Sequence, residues 1–156
     1  MQKDTKNQDV NQAEALSIEE IARVGANQML KQALEAEIQA YLSLYGDVQT
    51  ADGRPGVVRN GYHRSRTILS STGPVDVEVP RSRTRMEGIP AFASTLIPKY
   101  MRKSMSLDEA LPYFYLGGLS NGDFVPCFKK LFGSDIPGLS SSSITRLKHQ
   151  WSKDLE

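Results

Sequence analysis

The sequence predicts an α+β fold with a long N-terminal helix, a central basic β-hairpin and a C-terminal, helix-turn-helix-like bundle of three helices. Three observations carry this prediction. Apolar residues recur at helical spacing from Leu30 to Tyr45. The period then shortens to two in "VDVEV", residues 75 to 79. Beyond residue 103, glycine-containing breaks separate three amphipathic stretches.

The helix is expected over residues 17–46. Ser17 followed by Glu20 is a capping box, in which the hydroxyl and the carboxylate each satisfy a backbone N–H that the helix leaves without a partner. Leu30, Leu34, Ile38, Tyr41, Leu42 and Tyr45 form the apolar stripe, and Gly46 ends it. Gly25 is a candidate interruption. A helix of about 28 residues extends about 42 Å, long for so small a domain. The opposite face offers Glu35, Glu37 and Gln39. Packing on its own core and pairing with a second copy are both open. Residues 1–16, beginning "MQKDTKNQDVNQ", are expected to form a disordered polar tail.

Residues 47–103 open with the turn-rich "GDVQTADGRPG" and continue into a hairpin of "RTILSS" and "VDVEV" joined by "TGP". Val75, Val77 and Val79 belong to one face, Asp76 and Glu78 to the other. Two registers are open. A turn of Gly73 and Pro74 alone sets Arg66 opposite Arg81 and Arg64 opposite Arg83, a like-charge ladder that calls for an anion. A three-residue turn including Thr72 sets Leu69 opposite Val77 and divides the arginines between faces. Either register ends both strands in arginine, the arrangement of a phosphate clamp.

Charge is strongly segregated. Residues 1–53 hold four Lys/Arg against nine Asp/Glu (−5), residues 54–103 ten against three (+7), and residues 104–156 five against six (−1), which together give the +1 of the 156-residue chain. A field of that sign concentrates polyanions near the middle third. Eight of its ten basic groups are arginines, whose fork geometry matches phosphate. Arg59, Arg64, Arg66, Arg81, Arg83, Arg85, Lys99, Arg102 and Lys103 are the candidate backbone contacts. The single cysteine, Cys127, excludes an internal disulfide, and two histidines, His63 and His149, do not make a Cys/His metal set. No run of 18 apolar residues is present, so neither a signal peptide nor a membrane span is expected, and a reducing cytoplasm fits best.

Residues 104–156 are read as the helical region. "SLDEALPYFYLGG" starts with a second capping box, Ser106 with Glu109, and ends at Gly117 and Gly118. In "SNGDFVPCFKKLFG" Ser120 is the expected cap and Phe124, Phe128, Leu131 and Phe132 the apolar stripe. The third helix begins in "LSSSSITRLKHQWSKDLE", with Ile144, Leu147, Trp151 and Leu155 buried. Pro112 and Pro126 each fall about six positions inside these helices, at a cost of about 3 kcal/mol, so each helix is expected to kink or to begin later than its capping box. Facing away from the third stripe are Ser142, Thr145, Arg146, His149, Gln150 and Lys153, of which Arg and Gln are side chains that read guanine and adenine edges. Lys148 lies nearer the buried side and is expected to snorkel. Cys127 reads as a buried small residue rather than a nucleophile, and "GGLSNG" lacks the lysine of a phosphate loop.

"RNGYHRSR", "VDVEVPRSR", "LIPKYMRKS", "LPYFYLGGLSNGDF" and "GLSSSSITRLKHQW" stand in an order and near a spacing that resembles the mutator-type transposases of bacterial insertion sequences, over roughly residues 50 to 155. The resemblance implies recognition of an element's terminal inverted repeats in double-stranded DNA by this N-terminal region. It also implies a separate three-carboxylate domain that uses Mg or Mn to cut and join strands. In the family the first catalytic aspartate follows the third helix. None of Asp108, Glu109, Asp123, Asp135 and Asp154 matches such a position, so no catalytic residue, metal or cofactor is expected in this chain, which reads as truncated before the nuclease domain. The alternative is an interaction module that joins full-length transposase in mixed oligomers and silences it. A self-sufficient metal-dependent nuclease is disfavoured because a carboxylate cluster is missing.

Overall fold

The computed structural model describes residues 16–133, 136 and 138–154. Its elements follow in the order α1 (Ile18–Leu44), β1 (Val57–Tyr62), β2 (Arg66–Ser70), β3 (Gly73–Val77), β4 (Pro80–Thr84), α2 (Met105–Leu116), α3 (Phe124–Phe132) and α4 (Ser141–Asp154). The α+β class and the three-part order are as the sequence predicts. The polar tail expected over residues 1–16, apart from Leu16, and the expected burial of Leu155 lie outside the described residues.

Helix α1 runs 27 residues without a break. Its start is the capping box: the Ser17 backbone N–H donates to the Glu20 carboxylate at 2.8 Å, and the Glu20 N–H to the Ser17 hydroxyl at 3.2 Å. Gly25 does not interrupt it, because a single glycine costs only about 1 kcal/mol, which a helix this long absorbs. Leu34 and Ile38 are fully buried, with Leu30, Tyr41 and Leu42 packed beside them.

The strands form one bent hairpin with two paired zones. The inner zone pairs β2 with β3, Arg66 opposite Val77 and Ser70 opposite Gly73, around a two-residue turn at Ser71 and Thr72. Both registers expected from sequence are therefore wrong. The reason is local: the Ser70 hydroxyl donates to the Gly73 carbonyl at 2.8 Å and accepts the Thr72 N–H, so the hydroxyl residues close the turn. Gly73, at φ +107°, is the first strand residue and lies against the Phe132 ring of α3, where a Cβ would sit 3.4 Å from a ring carbon. The outer zone, absent from the sequence reading, pairs β1 with β4, Val57 opposite Thr84 and Arg59 opposite Ser82, with an irregularity before the Tyr62–Pro80 pair. Where the two zones meet, the His63 N–H donates to the Val79 carbonyl at 2.8 Å.

Strand β2 holds the two halves of the protein together. Neighbouring strand residues point to opposite faces. Ile68 enters one core with Leu34, Ile38, Val75, Val77, Val79, Phe92 and Ile97. Leu69, fully buried, enters the other with Leu107, Leu111, Phe124, Phe128, Leu139, Ile144 and Leu147. The Leu69 backbone also accepts the Ser104 N–H at 2.8 Å and donates to the Arg102 carbonyl at 2.9 Å, which fixes the entry to α2.

The C-terminal helices differ from expectation at their starts. Helix α2 begins after Ser104, earlier than its expected cap, so Ser106 lies inside the helix rather than capping it, and Pro112 is accommodated within the helix. Helix α3 begins later, at Phe124; Pro126 then falls in the first turn, where its missing N–H has no helical partner to lose. Asp123 and Ser120 instead close the preceding turn through their side chains. The Phe124, Phe128 and Phe132 rings line α3 with Phe114 edge-on to Phe128 at 5.2 Å. Leu131, expected in that stripe, is 62% exposed. Cys127 is exposed, contrary to the expected burial, because it sits on the outer side of a helix of which Phe124 and Phe128 occupy the inner side. Among the described residues no helix is long and apolar enough to cross a membrane.

Two polar ties hold the hairpin and the following segment on α1. Arg59 donates through Nη1 and Nη2 to the two oxygens of Glu35, at 2.5 and 2.7 Å, while the Tyr62 hydroxyl donates to Glu35 Oε1 at 2.6 Å. Glu37 accepts from the Ser94 hydroxyl at 2.5 Å and from the Thr95 N–H and hydroxyl, each at 2.6 Å. Glu35 and Glu37, expected on a free face, are therefore committed. Hydrogen bonds from Arg59 and then Tyr62 lower the Glu35 carboxyl to about 2.

Phe128→Ala, which empties the centre of the aromatic cluster, should cost about 3 to 5 kcal/mol in urea unfolding; a loss below 1 kcal/mol would contradict the packing. Glu35 has a folded value below its unfolded one, so its contribution is complete above about pH 4.5 and is lost as pH falls toward 2. With both partners about one-third exposed, Glu35→Gln should cost about 1 kcal/mol at neutral pH. The same substitution should flatten the pH dependence of stability below pH 4.5, and an unchanged acid limb would show the pair to be idle.

Candidate nucleic-acid interface

Strand alternation sorts the arginines before any ligand is considered. Arg59 and its partner Ser82 face α1, and Ser82 there accepts the Phe92 N–H at 2.8 Å. Arg81 and Arg83, one and three positions into β4, are exposed on the other face, and Arg85 follows at the same period. The predicted ladder of Arg66 opposite Arg81 is absent, since Arg66 lies opposite Val77.

Carboxylates then decide which cations keep an unbalanced charge. Among the ten basic residues from 54 to 103, three are paired: Arg54 with Asp52 at 3.1 Å, Arg59 with Glu35, and Lys103 with Asp108 at 3.0 Å. Arg59 and Lys103, both candidate contacts, are thereby spent on the protein itself. The remaining seven, Arg64, Arg66, Arg81, Arg83, Arg85, Lys99 and Arg102, have no carboxylate partner among the described residues.

Three of these seven are positioned by neutral carbonyls, which orient a guanidinium without cancelling it. Arg66 donates to the Lys99 carbonyl and, at 2.7 Å, to the Pro98 carbonyl, drawing the 98–103 segment against the bend of the hairpin. Arg81 Nε donates to the Asn60 carbonyl at 3.2 Å, and Arg85 to the Pro55 carbonyl at 3.2 Å. Lys99 stands over the Tyr100 ring at 5.4 Å. Arg64, Arg83 and Arg102 are exposed and make no side-chain hydrogen bond among the described residues. In the sequence His63 stands only as one of two histidines that make no metal set. The structure sets it beside Arg66, Arg81 and Lys99; partial desolvation of its ring, then these three cations, hold its imidazole below the ordinary value. The run "RNGYHRSR" contained that signal, but Arg81 and Lys99 reach it only through the fold.

On α4 the predicted outward set is sorted as expected. Ile144 and Leu147 are buried and Trp151 half-buried, while Ser142, Thr145, Arg146, His149, Gln150 and Lys153 are exposed. Thr145 is occupied: its hydroxyl donates to the Ser141 carbonyl and accepts from Asn121 Nδ2, both at 2.9 Å. Lys148, half-buried, sets its ammonium 4.3 Å from the Tyr115 ring centre. The Ser140 hydroxyl accepts the Ser143 N–H, closing the first turn of α4. Among the described residues no three His, Cys, Asp or Glu side chains gather to hold a metal ion.

The chain is 51% identical over 45 residues to the transposase for insertion sequence element IS6120 of Mycolicibacterium smegmatis, a match covering 29% of this chain and 14% of that protein. It is 25% identical over 134 residues to the transposase for insertion sequence element IS905 of Lactococcus lactis subsp. lactis (strain IL1403), covering 86% of this chain and 32% of that protein. The chain thus spans no more than about a third of the length of these curated relatives. The profile of one family, described as "Transposase, Mutator family", matches residues 1–156 from end to end. The chain therefore belongs to the Mutator family of transposases.

Proposed function

We propose that this chain is the part of a transposase that docks on double-stranded DNA at the terminal inverted repeats of its element. The observation that carries the reading is the set of seven basic side chains, from Arg64 to Arg102, left without a carboxylate on one bent hairpin and its following segment. Counterion release makes such a surface a binding site for a phosphate backbone. Helix α4 then offers Arg146, His149, Gln150 and Lys153 for base edges, with Ser142 near the helix start for close approach to the groove wall. Metal-dependent strand transfer, with Mg or Mn, belongs on this reading to the part of the relatives that the chain does not match.

A second reading is favoured by one feature of α1. Ile18, Ile21, Val24 and Met29 are 57 to 82% exposed, although the C-terminal half of the same helix is well packed. Pairing through this stretch with another transposase subunit would produce mixed oligomers. Light scattering on the chain and on an Ile18→Ser/Ile21→Ser/Met29→Ser variant distinguishes a monomer from such a dimer.

If about five of the seven cations meet phosphates, log affinity should fall against log salt with a slope of about −4 to −5. Arg64→Gln, Arg81→Gln, Arg83→Gln and Arg102→Gln together should reduce that slope by about 3 to 4 and weaken binding to every duplex alike. A slope near zero in the unaltered chain removes the proposal. By contrast, Arg146→Ala or Gln150→Ala should relax sequence preference by about 1 to 3 kcal/mol per position and leave the slope nearly unchanged, as read by competition between repeat and scrambled duplexes.

A further inference from the structure

The bend of the hairpin gathers basic side chains without a carboxylate partner among the described residues. His63 lies between β1 and β2, anchored by its backbone to Val79. Arg66 arrives from β2, Arg81 from β4, and Lys99 from the segment that Arg66 itself holds through the Pro98 and Lys99 carbonyls. These are the charged groups acting on the imidazole; no carboxylate is among them. The His63–Val79 backbone bond, the Arg81 bond to the Asn60 carbonyl and the Arg66 bonds to the Pro98 and Lys99 carbonyls thus bring four basic residues to the same bend, none of them with a carboxylate partner among the described residues.

Resting on the DNA-docking reading above, we propose that His63, Arg66, Arg81 and Lys99 form a single phosphate-binding site, and that His63 enters it as the imidazolium, taking one proton from solvent as the phosphodiester binds. A neutral imidazole gives a phosphate oxygen one N–H; the imidazolium gives two donors and a charge. In the free protein partial desolvation of the ring, and then the charges of Arg81, Lys99 and Arg66, hold the imidazole below its ordinary value. A phosphate oxygen that accepts from the ring offsets part of that repulsion and favours the protonated imidazole. Binding and protonation are linked, so affinity rises as pH falls through the bound-state value of His63 and levels off below its free-state value.

The experiment measures affinity of the full chain for a generic duplex oligonucleotide at low salt, from about pH 8 to about pH 5.5, where carboxylates stay ionised. The unaltered chain should bind about three- to tenfold more tightly at the acid end, since each unit by which the bound phosphate raises His63 is worth tenfold. His63→Gln should bind equally at both ends. In parallel, the His63 ring proton followed by NMR should titrate at higher pH when duplex is present. A His63→Gln profile identical to that of the unaltered chain, or a His63 titration unmoved by duplex, overturns the inference while leaving DNA docking intact. Absence of binding at every pH removes both.

Discussion

The alternation of a single strand organises this protein. Ile68 and Leu69 are adjacent in sequence, and strand geometry sends them into different cores, one shared with α1 and one with α2, α3 and α4. A β-bridge from Leu69 to Lys103, with the hydrogen bonds on either side of it, sets the start of α2 at the same point. The hairpin is thereby clamped between the long helix and the helical bundle. Its bend, with the basic side chains it carries, cannot rotate away from α4 without opening one core or the other.

Given that frame, the electrostatic surface is shaped by where the few nearby carboxylates fall. Glu35, Asp52 and Asp108 each neutralise one cation, and they do so at the edges of the basic band. Toward the bend the donors are carbonyls, which hold Arg66 and Arg81 in place while leaving their charge whole. A surface arranged in this way repels itself, a cost of the compact state that a bound polyanion relieves. The same logic explains why Glu35 is so acidic: it meets one arginine and one tyrosine, and its charge secures β1 to α1 rather than dimming the bend.

Much of this was legible in sequence. The capping box at Ser17, the valine alternation of residues 75 to 79 and the outward set on α4 each depend on neighbours within about four positions, and each is found as read. The hairpin register was not legible, because "TGP" carries the stronger turn residues while the turn is closed by the Ser70 hydroxyl one step earlier. Strand β1 escapes the sequence because "VVRNGY" lacks the apolar alternation of "VDVEV" and so announces no strand without its partner β4. The division of arginines between Glu35 and open solvent depends on a contact between residues 24 apart, and the charges acting on His63 include Arg81 and Lys99 from other parts of the chain; composition alone shows neither.

The central proposal is that the unbalanced cations of the hairpin bend and the outward side of α4 both contact DNA. Backbone amide NMR spectra of the 17.3 kDa chain, recorded with increasing amounts of a duplex carrying the element's terminal repeat, test it most directly. The account predicts shifts grouped at residues 63–66, 81–85, 99–102 and 142–153, with residues 18–32 of α1 unmoved. Shifts confined to α1, or spread evenly over the chain, would contradict it.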